Sequence, residues 1–409
     1  MRVVVIGGGA VGVTTAYFLS RRGIDVTLFD ADALGNGTSF GNAGLLVPSY
    51  SLPLTSWPNF LEGLRSLLGF PAAVEFNLGY GLRQINWLTG LLISAVTAGA
   101  ADRFKTLAQL CQRSLALYSE LLRSAPDVVS YSVRGVSYIY ATAGGLDLGR
   151  KLAAAYRDVG VLSAEMGPQD ARYFEPLLSS AVTGVIRYAG DGNVQPFQYV
   201  NWMAGVARKN GVAFRVDTRI ALSMAAQNRV EVRCGDERIL ADRVVVAAGY
   251  QSPELMKPVG ISVPILPAKG YSMDVSLAQK PNSPMLFQED HVSLTPFGNN
   301  VRVTTGLDFH GHDRTINPSK PKLMRDALSR YLDSPVVVDT GTPWSGFRPL
   351  TPDGLPIIGP SSRLENVVYA TGHGPLGITL APATADLVER CLLDSVDVAV
   401  ALRPSRFHI

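Results

Sequence analysis

Cysteine is almost missing from this chain. Only Cys111, Cys234 and Cys391 occur, far apart and in neither a CxxC pair nor a histidine-bearing spacing. No disulfide framework and no metal site is therefore expected, and a reducing, cytoplasmic setting fits. Charge is sparse too: Asp, Glu, Lys and Arg make up 17% of the residues, and 37 basic against 34 acidic side chains leave +3 with neither sign clustered. That balance argues against nucleic acid as a partner. Long apolar runs are lacking. One uncharged stretch, Gln84 to Ala101, contains Gln, Asn, Thr and Gly and is marginal for a membrane span; a buried or membrane-touching helix is the better reading. The opening apolar run is cut by glycine at residue 7, which does not suit a secretory signal. There is no internal repeat and no low-complexity segment. The five histidines form no Ser/His/Asp arrangement, and His291, His310 and His312 read as surface or loop residues.

What is present is concentrated in the first thirty residues. Val3 to Ile6 is a β-branched run that reads as a buried parallel strand. It runs into Gly7-Gly8-Gly9-Ala10-Val11-Gly12, a GxGxxG motif. Val13 to Arg22 then show helical spacing, with Val13, Ala16, Tyr17 and Leu19 on one face, and Gly23 stops the helix. A second strand, Asp25 to Phe29, leads to Asp30, close to the distance expected for an acid that takes the ribose hydroxyls. Gly7 makes the tight turn, Gly9 admits the pyrophosphate, and Gly12 lets helix pack on strand. The helix N-terminus offers unpaired N–H groups to the diphosphate. Strand, glycines, helix, strand and acid in this order point to a dinucleotide site.

A chain of 409 residues suggests two domains. After Asp30 the segment from Gly35 to Gly44 is small and polar and can wrap a ligand with backbone N–H groups and the hydroxyls of Thr38 and Ser39. Pro48, Pro53 and Pro58 follow. Residues 59–125 read as mostly helical, with strand-like pieces at Val133 to Ala141, a helix from Leu146 to Val159, another from Tyr199 to Gly211, and strands at Val212 to Val216 and Arg229 to Arg233. Leu240 to Ala248 is a buried strand closed by Gly249-Tyr250. Residues 263–345 alternate short strands with turns, at Met273 to Val275, Val292 to Thr295 and Val301 to Thr305, and fit an antiparallel sheet.

A second GxGxxG, at Gly372, Gly374 and Gly377, follows the strand Val367 to Ala370 and precedes a helix through Leu393. Only 32 residues follow Gly377, too few for another nucleotide lobe. It reads as a second helix N-terminus aimed at the same cofactor; for a flavin, its dipole would face the N1 and C2-carbonyl edge, where reduction places negative charge.

The stretches GGGAVGVTTAYFL, TSFGNAG, PAKGYSM, GFRPLTPDGLPIIG and TGHGPLGITLAPATADLV resemble the FAD-dependent D-amino-acid dehydrogenase (small subunit) and glycine oxidase group of flavin amine oxidoreductases. The likeness covers nearly the whole chain. It implies non-covalent FAD held by Val5, Gly7, Gly8, Gly9, Ala10, Val11 and Gly12, by Asp30 and Ala31, by Thr38 and Ser39, and by Ala43, Gly44 and Leu45. It further implies Ile220 at the adenine and His373, Gly374, Leu376, Gly377, Ile378 and Thr379 at the flavin, with Ala248 and Gly249 closing the strand that returns to the nucleotide sheet. The substrate carboxylate is implied at Arg348. One departure stands out: glycine oxidases carry an arginine, and the dehydrogenases a threonine, where this chain has Pro375.

The residues support the same assignment. A guanidinium binds a carboxylate through two parallel hydrogen bonds and fixes a planar acid in one orientation; an arginine satisfying carbonyls at a domain boundary is the alternative for Arg348. Tyr271 could line the site, giving a hydroxyl or closing it with its ring, or sit in the core. His373 fits a role in orienting the flavin or capping the turn better than one as a base.

The expected architecture is an α/β fold, a Rossmann-type FAD-binding domain of the glutathione-reductase-like, D-amino-acid-oxidase type, interleaved with an α+β substrate domain on an antiparallel sheet. Residues 1–50, 145–262 and 345–395 are assigned to the first, 51–144 and 263–344 to the second, and 396–409 to a C-terminal tail. The expected reaction is dehydrogenation of a small D-amino acid, with electrons passed to a quinone or another non-nicotinamide acceptor. Within the class, a D-proline or D-hydroxyproline dehydrogenase or a glycine/sarcosine-type oxidase remains open; outside it, an NAD-binding Rossmann dehydrogenase or a flavin subunit of a larger complex. A cytoplasmic protein is expected, with peripheral contact on the inner membrane face or a partner subunit left open.

Overall fold

A computed structural model describes residues 1–52, 74–76, 81–96, 99–125, 128–309, 311–333 and 336–409. Pro53, Pro58, His310 and much of the helical expectation before residue 81 lie outside these residues.

Strand β1 (Arg2–Ile6) sits in the middle of a six-stranded sheet. Strand β2 (Asp25–Phe29) and Arg243–Val246 flank it in parallel register, Ala213–Arg215 extends one side, and Val367–Thr371 the other. An antiparallel strand, Ile357–Pro360, closes that edge. The central parallel strands, β1, Arg243–Val246 and Val367–Thr371, are rich in Val and buried on both faces, as parallel sheets require.

Helix α1 (Ala10–Ser20) packs on this sheet. Sequence spacing predicts one apolar face, yet Gly12, Thr14, Thr15 and Ser20 are buried along with Val13, Ala16 and Leu19. The helix is wedged between helices Pro196–Lys209 and Gly377–Leu393, so every side faces protein. Its polar groups are satisfied inside that wedge: Thr14 Oγ1 donates to the Ala10 carbonyl at 2.7 Å and meets the Tyr199 hydroxyl at 2.9 Å.

The second sheet has ten strands. Its long central strand, Leu266–Leu277, pairs antiparallel with Asn300–Phe309 on one side and with Trp344–Leu350 and Val336–Asp339 on the other. Two domain assignments change here. Strands Ala164–Met166 and Gly184–Tyr188, placed with the nucleotide domain, pair into this second sheet beside Val136–Tyr140. Trp344–Leu350, also placed there, runs along Leu266–Leu277. Conversely, helix Ala100–Leu121, placed with the substrate domain, lies on the nucleotide side, where the Tyr118 hydroxyl donates to the Ile378 carbonyl at 2.6 Å. Local periodicity reveals a strand or helix but not its partner, which is why these boundaries moved. A helix absent from the sequence reading, Ser319–Tyr331, buries Met324, Ala327, Leu328 and Tyr331 under the second sheet.

Helix Gly81–Val96 rests on the second lobe through Trp87, whose Nε1 donates to the Leu350 carbonyl at 3.0 Å and whose ring meets Phe309. Ile85, Leu92 and Ile93 are exposed on its other side. Among the described residues no helix is long and apolar enough to cross a membrane.

The C-terminal segment is docked rather than loose. Arg406 Nε donates to Asp353 at 2.6 Å, and its Nη2 donates to the Leu355 and Pro356 carbonyls. This pins the turn that follows Arg348. Removing one partner of a largely buried pair strands the other charge. Arg406→Ala should therefore lower unfolding free energy by about 3 kcal/mol, whereas Lys322→Ala, in an exposed pair with Asp326, should change it by less than about 0.5 kcal/mol. Urea denaturation of both variants checks the contrast.

Candidate active site

At the end of β1 the chain turns through Gly7 at φ +118°, a conformation L side chains avoid. A Cβ on Gly12 would lie 1.8 Å from the Gly7 carbonyl oxygen, so only glycine lets α1 approach the turn. Gly9 precedes α1 with no side-chain cap, which leaves first-turn N–H groups for a diphosphate; the Ala10 N–H meets Ser39 Oγ at 3.2 Å. Asp30, at the end of β2, accepts the Gly8 N–H and, at 2.8 Å, the Asp32 N–H. Burial raises its pKa, and these backbone donors oppose the rise.

Above this turn lies a cavity of about 360 Å³. The glycine turn contributes Gly7, Gly9, Ala10 and Val11, and the end of β2 contributes Asp30 with Ala31. Thr38, Ser39, Ile220, Ala248 and Gly249 form the sides, and His373, Gly374, Gly377 and Ile378 close the far end. Residues separated by more than 360 positions thus meet in one space. Ala43, Leu45 and Leu376 line the neighbouring cavity instead. Val5, Gly8, Gly12, Gly44 and Thr379 line neither and act as supports; Thr379 Oγ1, for instance, donates to the Leu45 carbonyl at 2.8 Å.

The neighbouring cavity, about 290 Å³, shares Thr38 and Asn42 with the first. Arg348 is the only arginine or lysine among its described lining residues. Register places Arg348 beside Ala268 on the central strand, and its guanidinium lies against Gly270, where a Cβ would stand 2.5 Å from Nη1. Nη1 donates to the Gly306 carbonyl. Burial lowers the Arg348 pKa; the nearby Tyr50 and Asp308 oppose this. No carboxylate pairs with it among the described residues. A desolvated cation paired with no carboxylate is a ready acceptor for an anionic ligand.

Tyr271 lines the same cavity, but its hydroxyl donates to Asp308 Oδ2 at 2.9 Å, and Asp308 in turn pairs with Lys320 Nζ at 2.9 Å. Its contribution to the wall is therefore the ring. His373 is held differently from a general base. Its Nε2 is hydrogen-bonded to Thr384 Oγ1 at 2.9 Å, and burial pushes its pKa down to about 3. It stays neutral and fastens the glycine turn to the last helix.

Sequence reasoning missed several lining residues. Trp344 is slotted between Gly41 and Gly346, at each of which a Cβ would come within 2.0 Å of the indole. Tyr50, Asn42, Tyr138, Tyr140, Tyr156 and Tyr188 also face this cavity. The two glycines beside Trp344 were a usable signal. The tyrosines, drawn from separate strands and helices, carried none.

Comparison with known proteins agrees with this geometry. The chain is 29% identical over 415 residues to a D-amino acid dehydrogenase from Granulibacter bethesdensis, covering 98% of this chain and 99% of that one. The fold superposes on glycine oxidase from Bacillus cereus with a TM-score of 0.75 and 20% identity, covering 97% and 96% of the two chains. L-proline dehydrogenase from P. horikoshii gives a TM-score of 0.77 at 19% identity, covering 99% and 97%. The profile of the FAD dependent oxidoreductase family, DAO, matches residues 2–390. Since that match runs from β1 almost to the end of the last long helix, the chain belongs to the FAD dependent oxidoreductase family and is an oxidoreductase that uses FAD.

Proposed function

We propose that the protein dehydrogenates the Cα–N bond of a D-amino acid. The observation that carries this reading is the desolvated guanidinium of Arg348, paired with no carboxylate among the described residues, in a cavity that adjoins the one above the glycine turn. FAD, when bound, supplies the hydride acceptor. The chain's own part is orientation. Arg348 would take the α-carboxylate through its fork, and Gly270 leaves the room that lets the guanidinium lie flat. The Tyr271 ring and Trp344 close the sides against water. Pro375 lines this cavity where glycine oxidases carry an arginine, so one carboxylate clamp is present and a monocarboxylic acid fits best. His373, neutral and bonded to Thr384, is not available to take a proton, so the substrate amine must arrive already neutral.

The electron acceptor is proposed to be a quinone or a partner protein. After Gly377 the chain forms one long helix, Gly377–Leu393, and a segment docked through Arg406 on Asp353. The exposed Ile85, Leu92 and Ile93 offer an apolar strip for peripheral contact with a membrane surface.

Reduction of the bound flavin by a panel of D- and L-amino acids, followed in a stopped-flow instrument, tests the activity; a flavin that no amino acid reduces would overturn it. Gly9→Val should purify without FAD, because Gly9 sits between the helix end and Ser39, whose Oγ a bare Cβ already meets at 3.2 Å; the visible absorbance of the folded protein reads this directly. Arg348→Lys should retain FAD yet lose about 3 kcal/mol of transition-state binding, roughly a hundredfold in kcat/KM, since lysine keeps the charge but not the fork. Air should reoxidise the reduced enzyme slowly and a quinone analogue rapidly; peroxide formed at the rate of turnover would identify an oxidase.

A further inference from the structure

The cavity beyond Arg348 ends in a box of tyrosines. Tyr138 and Tyr140 alternate onto one face of strand Val136–Tyr140, and Tyr188 stands on the neighbouring strand. The Tyr138 and Tyr188 ring centroids are 4.9 Å apart at 67°. Tyr156, from helix Ala143–Asp158, meets Tyr188 edge-on at 5.7 Å. Gly149 on the same helix makes room for the Tyr140 phenol, which a Cβ there would touch at 2.4 Å.

Two of the four phenols are committed. Tyr156 accepts the Leu52 N–H at 3.1 Å. The Tyr138 phenol meets Ser49 Oγ at 2.8 Å, and Ser49 Oγ donates to Asp191. The other two are not. Tyr140 and Tyr188, only 4% and 2% exposed, line the cavity with no hydrogen-bond partner for their hydroxyls among the described residues. An apolar ligand would leave both unsatisfied.

The charges behind this wall are acidic. Asp191, 1% exposed, has no cationic partner among the described residues; the groups packed against it are Ser49, Cys111, Tyr138, Tyr156 and Tyr188. Glu289 lies beyond Tyr140 and is held by the N–H groups of Ala141 and Thr142 and by the Tyr331 hydroxyl. Arg187 neighbours Tyr188 in the chain but points to the opposite face of the strand, donating to the hydroxyls of Ser137 and Ser283. The cavity is therefore positive at Arg348 and negative at its tyrosine end.

Resting on the proposed amino-acid reading, we propose that this tyrosine box is the side-chain compartment of the active site and recognises a cation, so that the preferred substrate is a basic amino acid with a terminal ammonium or guanidinium. Ring faces attract a cation held over them, the free phenol oxygens accept its N–H groups, and Asp191 supplies the counter-charge. Burial without a cation raises the Asp191 pKa to about 7. A cationic side chain in the box favours the ionised carboxyl, and recognition strengthens as pH rises through that value.

The test compares matched pairs on the holoenzyme with a dye acceptor: D-lysine against D-norleucine, and D-arginine against D-citrulline. The cationic member should win by at least about tenfold in kcat/KM. The ratio within each pair cancels titration of the common α-amine, and it should climb through about pH 7 and then level. Asp191→Asn should flatten that climb and shrink the ratio. If this variant does not fold, Tyr140→Leu, which removes a ring whose hydroxyl has no hydrogen-bond partner among the described residues, should also shrink it. Neutral members oxidised as well as cationic ones at every pH would overturn the cation compartment alone. A flavin reduced by none of the four, nor by any other amino acid, would overturn the proposed activity with it.

Discussion

One close approach underlies the whole arrangement, that of α1 to the turn after β1. The Gly12 backbone sits where any Cβ would penetrate the Gly7 carbonyl. With that contact made, α1 sinks between two other helices, and its N-terminus points into the dinucleotide cavity. Helix Gly377–Leu393, packed on α1 from the far end of the chain, is then fixed as well, and it carries the His373–Gly377 turn to the same cavity. A side chain at position 12 would displace three helices and two cavity walls together.

The second lobe depends on a similar economy of side chains. Gly270 leaves a hollow on the central strand, and the Arg348 guanidinium from the adjacent strand fills it. Gly41 and Gly346 do the same for Trp344. Because Gly41 belongs to the loop after Asp30 and Gly346 to the second sheet, the indole joins the lobes beside the shared boundary of the two cavities. Thr38 adds a direct tie, its hydroxyl donating to the Phe347 carbonyl at 2.7 Å.

Buried charge is distributed unevenly around this junction. Asp308 is neutralised by Lys320 and the Tyr271 phenol, and Asp353 by Arg406. Arg348 in the second cavity and Asp191 behind its tyrosine wall have no such partner among the described residues. Burying such groups without a partner is costly to the fold, and on the proposed reading an amino acid with a cationic tail would offset that cost at both. Stability and recognition share the same residues here, so destabilising variants of either are expected to respond to substrate.

The βαβ unit with its glycines and Asp30 was legible in the sequence because each signal is local: a β-branched run, glycines at fixed spacing, a helix and an acid within thirty residues. The last glycine turn and Arg348 were legible through motif and resemblance; the turn lines the cavity above β1 and Arg348 lines its neighbour. The buried faces of α1 were not, because Thr14 and Thr15 are polar by type and buried only by packing. Nor was the sheet membership of Ala164–Met166, Gly184–Tyr188 and Trp344–Leu350, since a strand's own residues do not name its neighbour. Helix Ser319–Tyr331 did carry an i, i+3, i+4, i+7 pattern, which was obscured by its prolines and charges. The sequence alone determined the βαβ unit with its glycine turn and Asp30, whose signals lie in contiguous residues. Only tertiary structure decided that His373 is fastened to Thr384, that the Tyr271 hydroxyl belongs to Asp308, and that four tyrosines from two strands and a helix enclose one space, because those contacts join residues that the chain keeps far apart.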